Sequence, residues 1–325
     1  MRALIHHTFG EPEDVLTVED RPLPDPGPGQ VRLRVLLSPI HNHDLWTIRG
    51  TYGFKPALPA ASGTEALGIV DALGEGVEGL EVGQRVVTGG TFGAWAEYLI
   101  TKAAGLIRVP ESIPDESASQ LISMPFSTIS LLEFLAVKEG DWIVQNAANG
   151  AVGRMLAQLG AARGVNVIGL VRRAEGVEEL RAQGIADVVA TDQDDWRERA
   201  AALTGGAPIT AGVDSVGGEA SGQVLSLIAE NGTLVAFGAM SSPVMEISSG
   251  DVIFKQATVK GFWGSKVSKA MDPGTRAALF SELIRRVGDG TLTLPVSGVF
   301  DAADVGDAVR ASNTPGRVGK VLLKF

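Results

Sequence analysis

The chain has 325 residues, 45% of them apolar and 20% charged, which is enough for two soluble domains, each with its own core. A net charge of −10 argues against a nucleic-acid partner, and the absence of cysteine excludes disulfides, thiolate nucleophiles and cysteine-bound zinc. No apolar run approaches the roughly 20 residues that span a bilayer, and the first ten residues lack a signal-peptide core, so we expect a cytoplasmic protein without a membrane partner.

The first third of the chain predicts a β-rich domain. Short apolar runs separated by Gly- and Pro-containing turns favour strands at residues 2–7, 30–38, 66–74, 84–88 and 95–100. Many short strands without helical periodicity are typical of a small β-barrel-like domain. Residues 41–62 interrupt this pattern, because they are polar, rich in Gly and Pro, and carry Trp46, Tyr52 and Phe54. We predict a long irregular segment with a functional role there.

Beyond residue 117 the pattern changes to alternating strands and helices. A helix is expected at 117–137 with a break at Pro125, and alternation then continues from the strand at Trp142 to a strand at 233–237. Such alternation predicts a parallel, doubly wound sheet. The remaining segments are predicted as strand 251–262, helix 271–289, strand 295–300, helix 302–312 and strand 320–325.

A small-residue turn follows the apolar run that begins at Trp142. The spacing Ala147-x-x-Gly150-x-x-Gly153 lets the backbone turn sharply, and the helix predicted at 154–163 then points its N–H groups at the turn. We interpret the turn as a dinucleotide site whose pyrophosphate contacts are Asn149, Gly150, Ala151 and Val152. The alternative is an ordinary tight strand-to-helix connection.

The second strand of the alternating half ends in Arg172 and Arg173. A carboxylate at this position favours NAD, whereas cations favour the 2′-phosphate of NADP. No Asp or Glu precedes Glu175, so the sequence favours NADPH. The alternative is that both arginines are merely solvated.

Two later strands end in small residues, at 213–218 and 235–240. Ligands of a doubly wound sheet lie beyond the carboxyl ends of its strands, where Gly217 would let backbone approach a ribose. Plain turns would predict the same residues. The predicted ribose and nicotinamide contacts are Val216, Phe237, Gly238, Ala239 and Met240.

Four further residues, His41, His43, Asp44 and Tyr52, are candidates for metal binding or catalysis. His41 and His43 resemble part of a metal cluster, but a catalytic zinc needs about three converging ligands and no other histidine lies near Gly63-Thr64-Glu65. We therefore predict no metal, and expect His41 and Asp44 to form loop hydrogen bonds or to line the cofactor cleft. Tyr52, flanked by glycines, could hydrogen-bond a carbonyl oxygen or donate a proton; the alternative is an exposed loop tyrosine.

These motifs resemble the medium-chain dehydrogenase/reductase superfamily along the whole chain. The resemblance implies a GroES-like catalytic domain at 1–118 and 262–325 and a Rossmann NADPH-binding domain at 119–261. Zinc-dependent members carry Cys where this chain has His41, and Gly-His-Glu where it has Thr64 before Glu65. The chain is therefore similar to the zinc-free reductases.

Within that group the chain looks most like the 2-enoyl thioester reductases, with the quinone oxidoreductases as close relatives. Residues 144–149 resemble the asparagine-rich phosphate loop of the enoyl reductases, and 261–265 resemble their Gly-Phe-Trp segment. Residues 50–54, followed by Leu58-Pro59, resemble the loop that holds their proposed catalytic tyrosine, which some quinone reductases share. The chain departs from the enoyl reductases at Thr64, where they have asparagine, and at Gly150-Ala151, where they tend to have Ser-Gly.

The resemblance implies catalytic roles for Tyr52 and Trp263, and places Phe262, Trp263 and His41 at the cofactor. NADPH would lie between the domains with its nicotinamide facing Tyr52, and hydride would pass to the β-carbon of an α,β-unsaturated carbonyl. Three functions remain open: reduction of an enoyl thioester of CoA or carrier protein, reduction of a quinone or reactive enone, and non-catalytic nucleotide binding by a redox sensor. The resemblance also implies a homodimer, through sheet edges near residues 252–260.

Overall fold

The computed structural model describes residues 1–325 and divides them into two units. Unit 1 comprises residues 1–124 and 283–325, and unit 2 comprises residues 125–282. The domain borders expected from the sequence, 118/119 and 261/262, lie six residues before the first of these divisions and 21 residues before the second.

Strands and helices together account for most of the chain. The strands are β1 (Arg2–His6), β2 (Leu16–Asp20), β3 (Gln30–Pro39), β4 (Ala60–Ala61), β5 (Glu65–Leu73), β6 (Arg85–Gly89), β7 (Tyr98–Lys102), β8 (Ile107–Arg108), β9 (Trp142–Gln145), β10 (Asn166–Val171), β11 (Val188–Ala190), β12 (Ile209–Asp214), β13 (Thr233–Ala236), β14 (Thr258–Gly261), β15 (Val296–Asp301) and β16 (Lys320–Lys324). The α-helices are α1 (Pro12–Val15), α2 (Asn42–Arg49), α3 (Asp115–Ala118), α4 (Ser123–Leu135), α5 (Ala151–Ala162), α6 (Ala174–Arg181), α7 (Trp196–Leu203), α8 (Glu219–Leu227), α9 (Ser249–Phe254), α10 (Gly264–Ala270), α11 (Pro273–Gly288) and α12 (Val305–Asn313).

Unit 2 is built on a six-stranded sheet in the order β11-β10-β9-β12-β13-β14, with every pair parallel. The inner strands β9 and β10, and β11, are rich in Val, Ile and Leu, because a parallel sheet covered by helices is buried on both faces, whereas the edge strand β14 is largely exposed. Val144, Ile168 and Leu234 form the centre of that core. The strand order is that of a dinucleotide-binding fold, so the predicted doubly wound sheet is confirmed.

Unit 1 contains a three-stranded sheet, β2-β1-β4, and a larger sheet in the order β15-β16-β3-β5-β6-β8, in which β7 also pairs with β3. The pairs within the larger sheet are antiparallel except β15 with β16. A hydrophobic core of unit 1 joins residues from both ends of the chain, including Leu4, Trp95 and Val309. The β-rich domain predicted from the first third of the sequence is confirmed.

Three predicted elements are wrong. Residues 42–49 form helix α2 rather than an irregular segment, because Leu45 and Ile48 are buried and Gly50 ends the helix in the left-handed conformation. The strand predicted at 251–262 is helix α9 followed by the short strand β14, since the Ser248 hydroxyl caps the Asp251 N–H. Pro125 does not break a helix, because it lies in the first turn of α4, where its missing N–H costs nothing.

None of the helices combines the length and the apolar character that crossing a lipid bilayer requires.

Candidate functional sites of the two units

The turn between β9 and α5 in unit 2 has an open face. Ala147 adopts the left-handed conformation with φ 49°, which turns the chain at the end of the strand. A Cβ on Gly153 would come within 2.6 Å of the carbonyl oxygen of Ala148, so the helix packs on the turn only with glycine there. A Cβ on Gly150 would meet only the Ala147 carbonyl, at 3.1 Å, and Gly150 itself is exposed. The turn therefore leaves room for a bulky group at Gly150.

The start of α5 makes this open face suitable for an anion. Asn149, Gly150 and Ala151 are exposed, and Val152 is partly buried. The first N–H groups of a helix have no partner within the helix and carry its positive dipole end. The four predicted pyrophosphate contacts thus lie together on one accessible surface, and the residues present fit a dinucleotide phosphate.

A buried carboxylate that the sequence reasoning missed holds the neighbouring strand end. Asp214, with 0% exposure, ends β12 beside β9 and accepts hydrogen bonds from Asn146 Nδ2 at 2.6 Å and Ser221 Oγ at 2.5 Å. It also accepts from the N–H groups of Val216 at 2.9 Å and Gly217 at 3.1 Å. The same asparagine accepts from the Ser215 N–H at 2.7 Å, so one polar pair fixes both strand ends. Polar residues ending two adjacent parallel strands were the signal that could have revealed it.

The glycines after β12 and β13 serve the packing of two turns. A Cβ on Gly217 would lie 2.1 Å from the Ser242 carbonyl oxygen, and one on Gly238 would lie 3.0 Å from that of Ser215. Both glycines are therefore required by protein backbone, which is the plain-turn interpretation of the sequence. Val216 belongs to the same packed turn, since its carbonyl accepts from Ser241 at 2.9 Å.

Arg172 and Arg173 follow β10 directly, and both are exposed. Neither forms an ion pair or a side-chain hydrogen bond in the structure, in contrast to the buried Arg154, which binds Glu179. Because β10 lies next to β9 and parallel to it, the two arginines stand at the same sheet edge as the Gly150 turn. Two guanidinium groups without protein partners fit a phosphate.

The remaining predicted cofactor residues of unit 2 divide into packed and accessible groups. The Phe262 ring is buried, stacks on Phe237 at 5.6 Å between centroids and meets Phe134 edge-on at 5.3 Å. Its side chain is thus a core contact of unit 2, and its contact with the cofactor stays a prediction. Ala239 is exposed, Met240 is 54% exposed, and Trp263 is 43% exposed with Lys266 Nζ 4.6 Å from its centroid.

In unit 1, α2 and the start of β5 bring five polar side chains together. His41 Nε2 lies 2.6 Å from Glu65 Oε2, and the His41 N–H donates to Asp44 Oδ2 at 3.0 Å. The Thr64 hydroxyl donates to Asp44 Oδ1 at 2.7 Å, and His43 Nε2 lies 2.7 Å from the same hydroxyl oxygen. We call these five residues the α2–β5 cluster. The predicted loop hydrogen bonds of His41 and Asp44 are confirmed. His41 is only 1% exposed, and its contact with the cofactor stays a prediction.

Burial dominates the electrostatics of this cluster. Glu65 is fully buried, and desolvation raises its pKa to about 7 although its carboxylate accepts N–H groups of Ser123 at 3.0 Å and Ile122 at 2.6 Å. Burial also lowers the pKa of His41 well below its usual value, and it lowers the pKa of the buried Lys320 to about 8. The cluster therefore holds less charge near neutral pH than its composition suggests.

The donor set does not fit a catalytic zinc. Nowhere in the chain do three or more His, Asp or Glu side chains converge as metal ligands. Thr64 stands where the resemblance to the superfamily places a zinc-binding histidine, and its hydroxyl donates to Asp44.

Glu65→Gln is expected to alter how stability depends on pH. A carboxyl whose pKa is raised on folding binds its proton more tightly in the folded state, so it costs stability as pH rises from about 4.5 towards 7. This loss, up to about 3 kcal/mol, should be absent in the glutamine variant. Urea unfolding at several pH values measures the slope, with the exposed Glu111→Gln as control. Identical slopes for wild type and Glu65→Gln would contradict the raised pKa.

Tyr52 lies just beyond α2, in the loop that the sequence singled out. Its ring is partly buried and stands 5.9 Å from the His43 ring, between centroids, at an angle of 35°. His43 in turn stacks on His41 at 5.0 Å and 14°. The phenol is therefore placed against the α2–β5 cluster instead of projecting alone from an exposed loop.

Comparison with known proteins agrees with this architecture. Residues 27–111 match the alcohol dehydrogenase GroES-like domain, and residues 151–279 match the zinc-binding dehydrogenase family. The human mitochondrial enoyl-[acyl-carrier-protein] reductase is 31% identical over 321 residues, covering 97% of this chain and 86% of the relative.

Two solved structures resemble the whole chain. A quinone oxidoreductase of Pseudomonas syringae superposes with a TM-score of 0.88 at 26% identity, covering 100% of this chain and 99% of the other. A mycobacterial protein in complex with NADPH superposes with a TM-score of 0.85 at 29% identity, covering 100% of both chains.

Proposed function

The chain belongs to the medium-chain dehydrogenase/reductase superfamily, in its zinc-free branch, and is an oxidoreductase; from that membership we propose that it uses NADPH to reduce the activated double bond of 2-enoyl thioesters. The observation that carries this proposal is the 31% identity to the human mitochondrial enoyl-[acyl-carrier-protein] reductase along 97% of the chain. The thioester would be one of CoA or of a carrier protein.

The geometry of unit 2 supports NADPH as the reductant. The pyrophosphate would lie on the turn at Asn149, Gly150, Ala151 and Val152, and the 2′-phosphate on Arg172 and Arg173. Ala239 and Met240, both accessible, would contact the nicotinamide end, with Val216, Phe237 and Gly238 shaping the strand ends behind them. The bound cofactor supplies a hydride for the β-carbon of the substrate.

In unit 1, Tyr52 would be the catalytic residue. Hydride addition to the β-carbon leaves negative charge on the thioester oxygen as an enolate. The Tyr52 hydroxyl can stabilise that oxygen and then protonate the α-carbon. Trp263, whose indole is partly exposed in unit 2, would form an apolar wall for the acyl chain. A conjugated carbonyl already makes the β-carbon electrophilic, so these residues suffice without a metal.

The double variant Arg172→Ala/Arg173→Ala is expected to weaken NADPH binding about 100-fold, because two charge-assisted contacts to one phosphate disappear. NADH, which has no 2′-phosphate, should bind as before. Fluorescence titration with both nucleotides measures the two dissociation constants.

Arg181→Ala provides the matched control for that titration, since Arg181 is an exposed arginine of α6 that pairs with Glu178. Equal weakening of NADPH and NADH in the double variant would contradict the assignment of the 2′-phosphate.

Oxidation of NADPH with a panel of acceptors tests the substrate class. Turnover of crotonyl-type CoA or carrier-protein thioesters supports the proposal. Preference for small quinones, with no gain from the CoA moiety, would favour the second candidate, to which the likeness to the Pseudomonas syringae quinone oxidoreductase points. Tight NADPH binding without turnover of any acceptor would instead favour a non-catalytic redox sensor.

We propose further that two copies of the chain associate along β14. This strand is at the edge of its sheet and pairs only with β13, and Ile253 and Phe254 of the neighbouring α9 are 64% and 81% exposed. An unpaired edge strand beside exposed apolar side chains is suited to pairing with a second copy. Sedimentation equilibrium should give twice the mass of one chain, and a mass of one chain would refute the dimer.

A further inference from the structure

The α2–β5 cluster holds the imidazole of His43 in one orientation. Nε2 lies 2.7 Å from the Thr64 hydroxyl, one ring face stacks on His41, and the ring stands 5.9 Å from that of Tyr52. The side chain is 20% exposed, so it touches solvent while its anchor is buried. A partly exposed histidine that is held in this way beside a phenol is suited to exchanging a proton with it.

The hydrogen bonds of the cluster also determine which nitrogen carries the inner proton. Thr64 has one hydroxyl proton, and it is donated to Asp44 Oδ1 at 2.7 Å. The hydroxyl oxygen can therefore only accept from His43, so Nε2 carries a hydrogen. No protein group hydrogen-bonds Nδ1, which is left to exchange protons with its surroundings.

We propose that His43 serves the reaction through Tyr52, as the group that returns a proton to the phenolate after each turnover. This role rests on the proposed function. When the α-carbon is protonated, the Tyr52 O–H bond breaks and a C–H bond forms. The phenolate then takes the Nδ1 proton of the His43 imidazolium, directly or through one water, and the neutral imidazole regains a proton from solvent. Thr64 and Asp44 are positioning residues, since they hold Nε2–H and stabilise the imidazolium.

The surrounding groups favour this role. Asp44, His41, Glu65 and Lys320 are the titratable side chains of the cluster and its border, and the Tyr52 ring lies 5.9 Å from the His43 ring, between centroids. Burial keeps His41 neutral by lowering its pKa, so the ring stacked on His43 does not repel an imidazolium. Asp44, which accepts from Thr64 and from the His41 backbone, places a carboxylate 3.5 Å from His43 Nε2.

The test is the rate of enoyl thioester reduction by the full-length chain carrying His43→Ala. We expect kcat to fall about 100-fold, with the KM for NADPH unchanged, because only proton return is impaired. Added imidazole should restore much of the rate, and the pH profile of kcat should differ from that of the wild type. His7→Ala, which removes an exposed histidine paired with Glu19, should behave like wild type.

A second pair of variants addresses the anchor without removing the ring. Thr64→Val keeps the shape but loses the hydroxyl, and should lower kcat about tenfold with an altered pH profile. Thr64→Ser keeps the hydroxyl and should recover both. A folded His43→Ala variant with the wild-type rate and pH profile, or Thr64→Val matching Thr64→Ser, would overturn the inference while leaving the function intact. A wild-type chain without activity on any enoyl thioester would refute the proposed function itself.

Discussion

Tyr52→Phe is expected to lower kcat for NADPH-dependent reduction of an enoyl thioester by about 100- to 1,000-fold. The phenylalanine ring preserves the packing against His43, so the change removes only the hydroxyl that would stabilise the enolate oxygen and protonate the α-carbon. Because NADPH is assigned to unit 2, its dissociation constant should not change. Steady-state kinetics with a crotonyl thioester, together with NADPH titration, separates the two effects.

The chain offers one matched control for this substitution, because it contains only two tyrosines. Tyr98 lies in β7 with the Arg32 guanidinium 5.9 Å from its ring centroid, among residues with no assigned role in the reaction. Tyr98→Phe should keep the wild-type rate. If Tyr52→Phe were as active as Tyr98→Phe, the phenol would have no part in the chemistry.

Asp214→Ala is expected to be the most destabilising change in unit 2. The carboxylate is completely buried and accepts two side-chain and two backbone hydrogen bonds, so its removal leaves four donors without an acceptor. Each unpaired buried donor costs about 1–3 kcal/mol, and even with partial relaxation we expect a loss of at least about 3 kcal/mol. The thermal midpoint should fall by about 10 °C, and NADPH should bind more weakly because the strand ends beside the Gly150 turn lose their order.

Differential scanning calorimetry of the variant measures the first effect and nucleotide titration the second. Asp194→Ala, which removes an exposed aspartate of the same unit, should change neither. Asp214→Asn should be milder than Asp214→Ala, because an amide oxygen at the Oδ1 position still accepts from Asn146, Val216 and Gly217, and only the hydrogen bond of Ser221 to Oδ2 changes. An unaltered midpoint for Asp214→Ala would mean that the hydrogen bonds around it contribute nothing to folding.

Elements with a strong repeating pattern could be predicted from the sequence, and short ones could not. The parallel sheet of unit 2 could be predicted because apolar strand segments alternate along the sequence with helices of ordinary length. Helix α2 has only eight residues, and just Leu45 and Ile48 of its apolar side chains are fully buried, so its polar composition suggested a loop. In α9 the run Val252-Ile253-Phe254 favoured a strand, but a single capping serine outweighed that preference.

The same distinction applies to the candidate sites. The Gly150 turn and the two arginines follow from spacing along the chain, since a strand, a turn and a helix are consecutive. The hydrogen-bonded pairs Asn146–Asp214 and His41–Glu65 join residues that are 68 and 24 positions apart in the sequence. A local sequence pattern cannot predict such long-range contacts. The packing of the Phe262 ring could not be predicted for a related reason, because its neighbours Phe134 and Phe237 come from distant segments.

The two hydrogen bonds of Thr64 bear on how such a chain could change during evolution. Replacing Thr64 would remove the hydroxyl that donates to Asp44 Oδ1 and accepts from His43, while the His41 N–H would still donate to Asp44 Oδ2. A residue at position 64 that lacks either of these hydrogen-bonding functions therefore disturbs Asp44, His43 or both, so its acceptance calls for compensating changes at those two positions. The dependence of two neighbouring side chains on one hydroxyl thus couples evolutionary change at positions 43, 44 and 64.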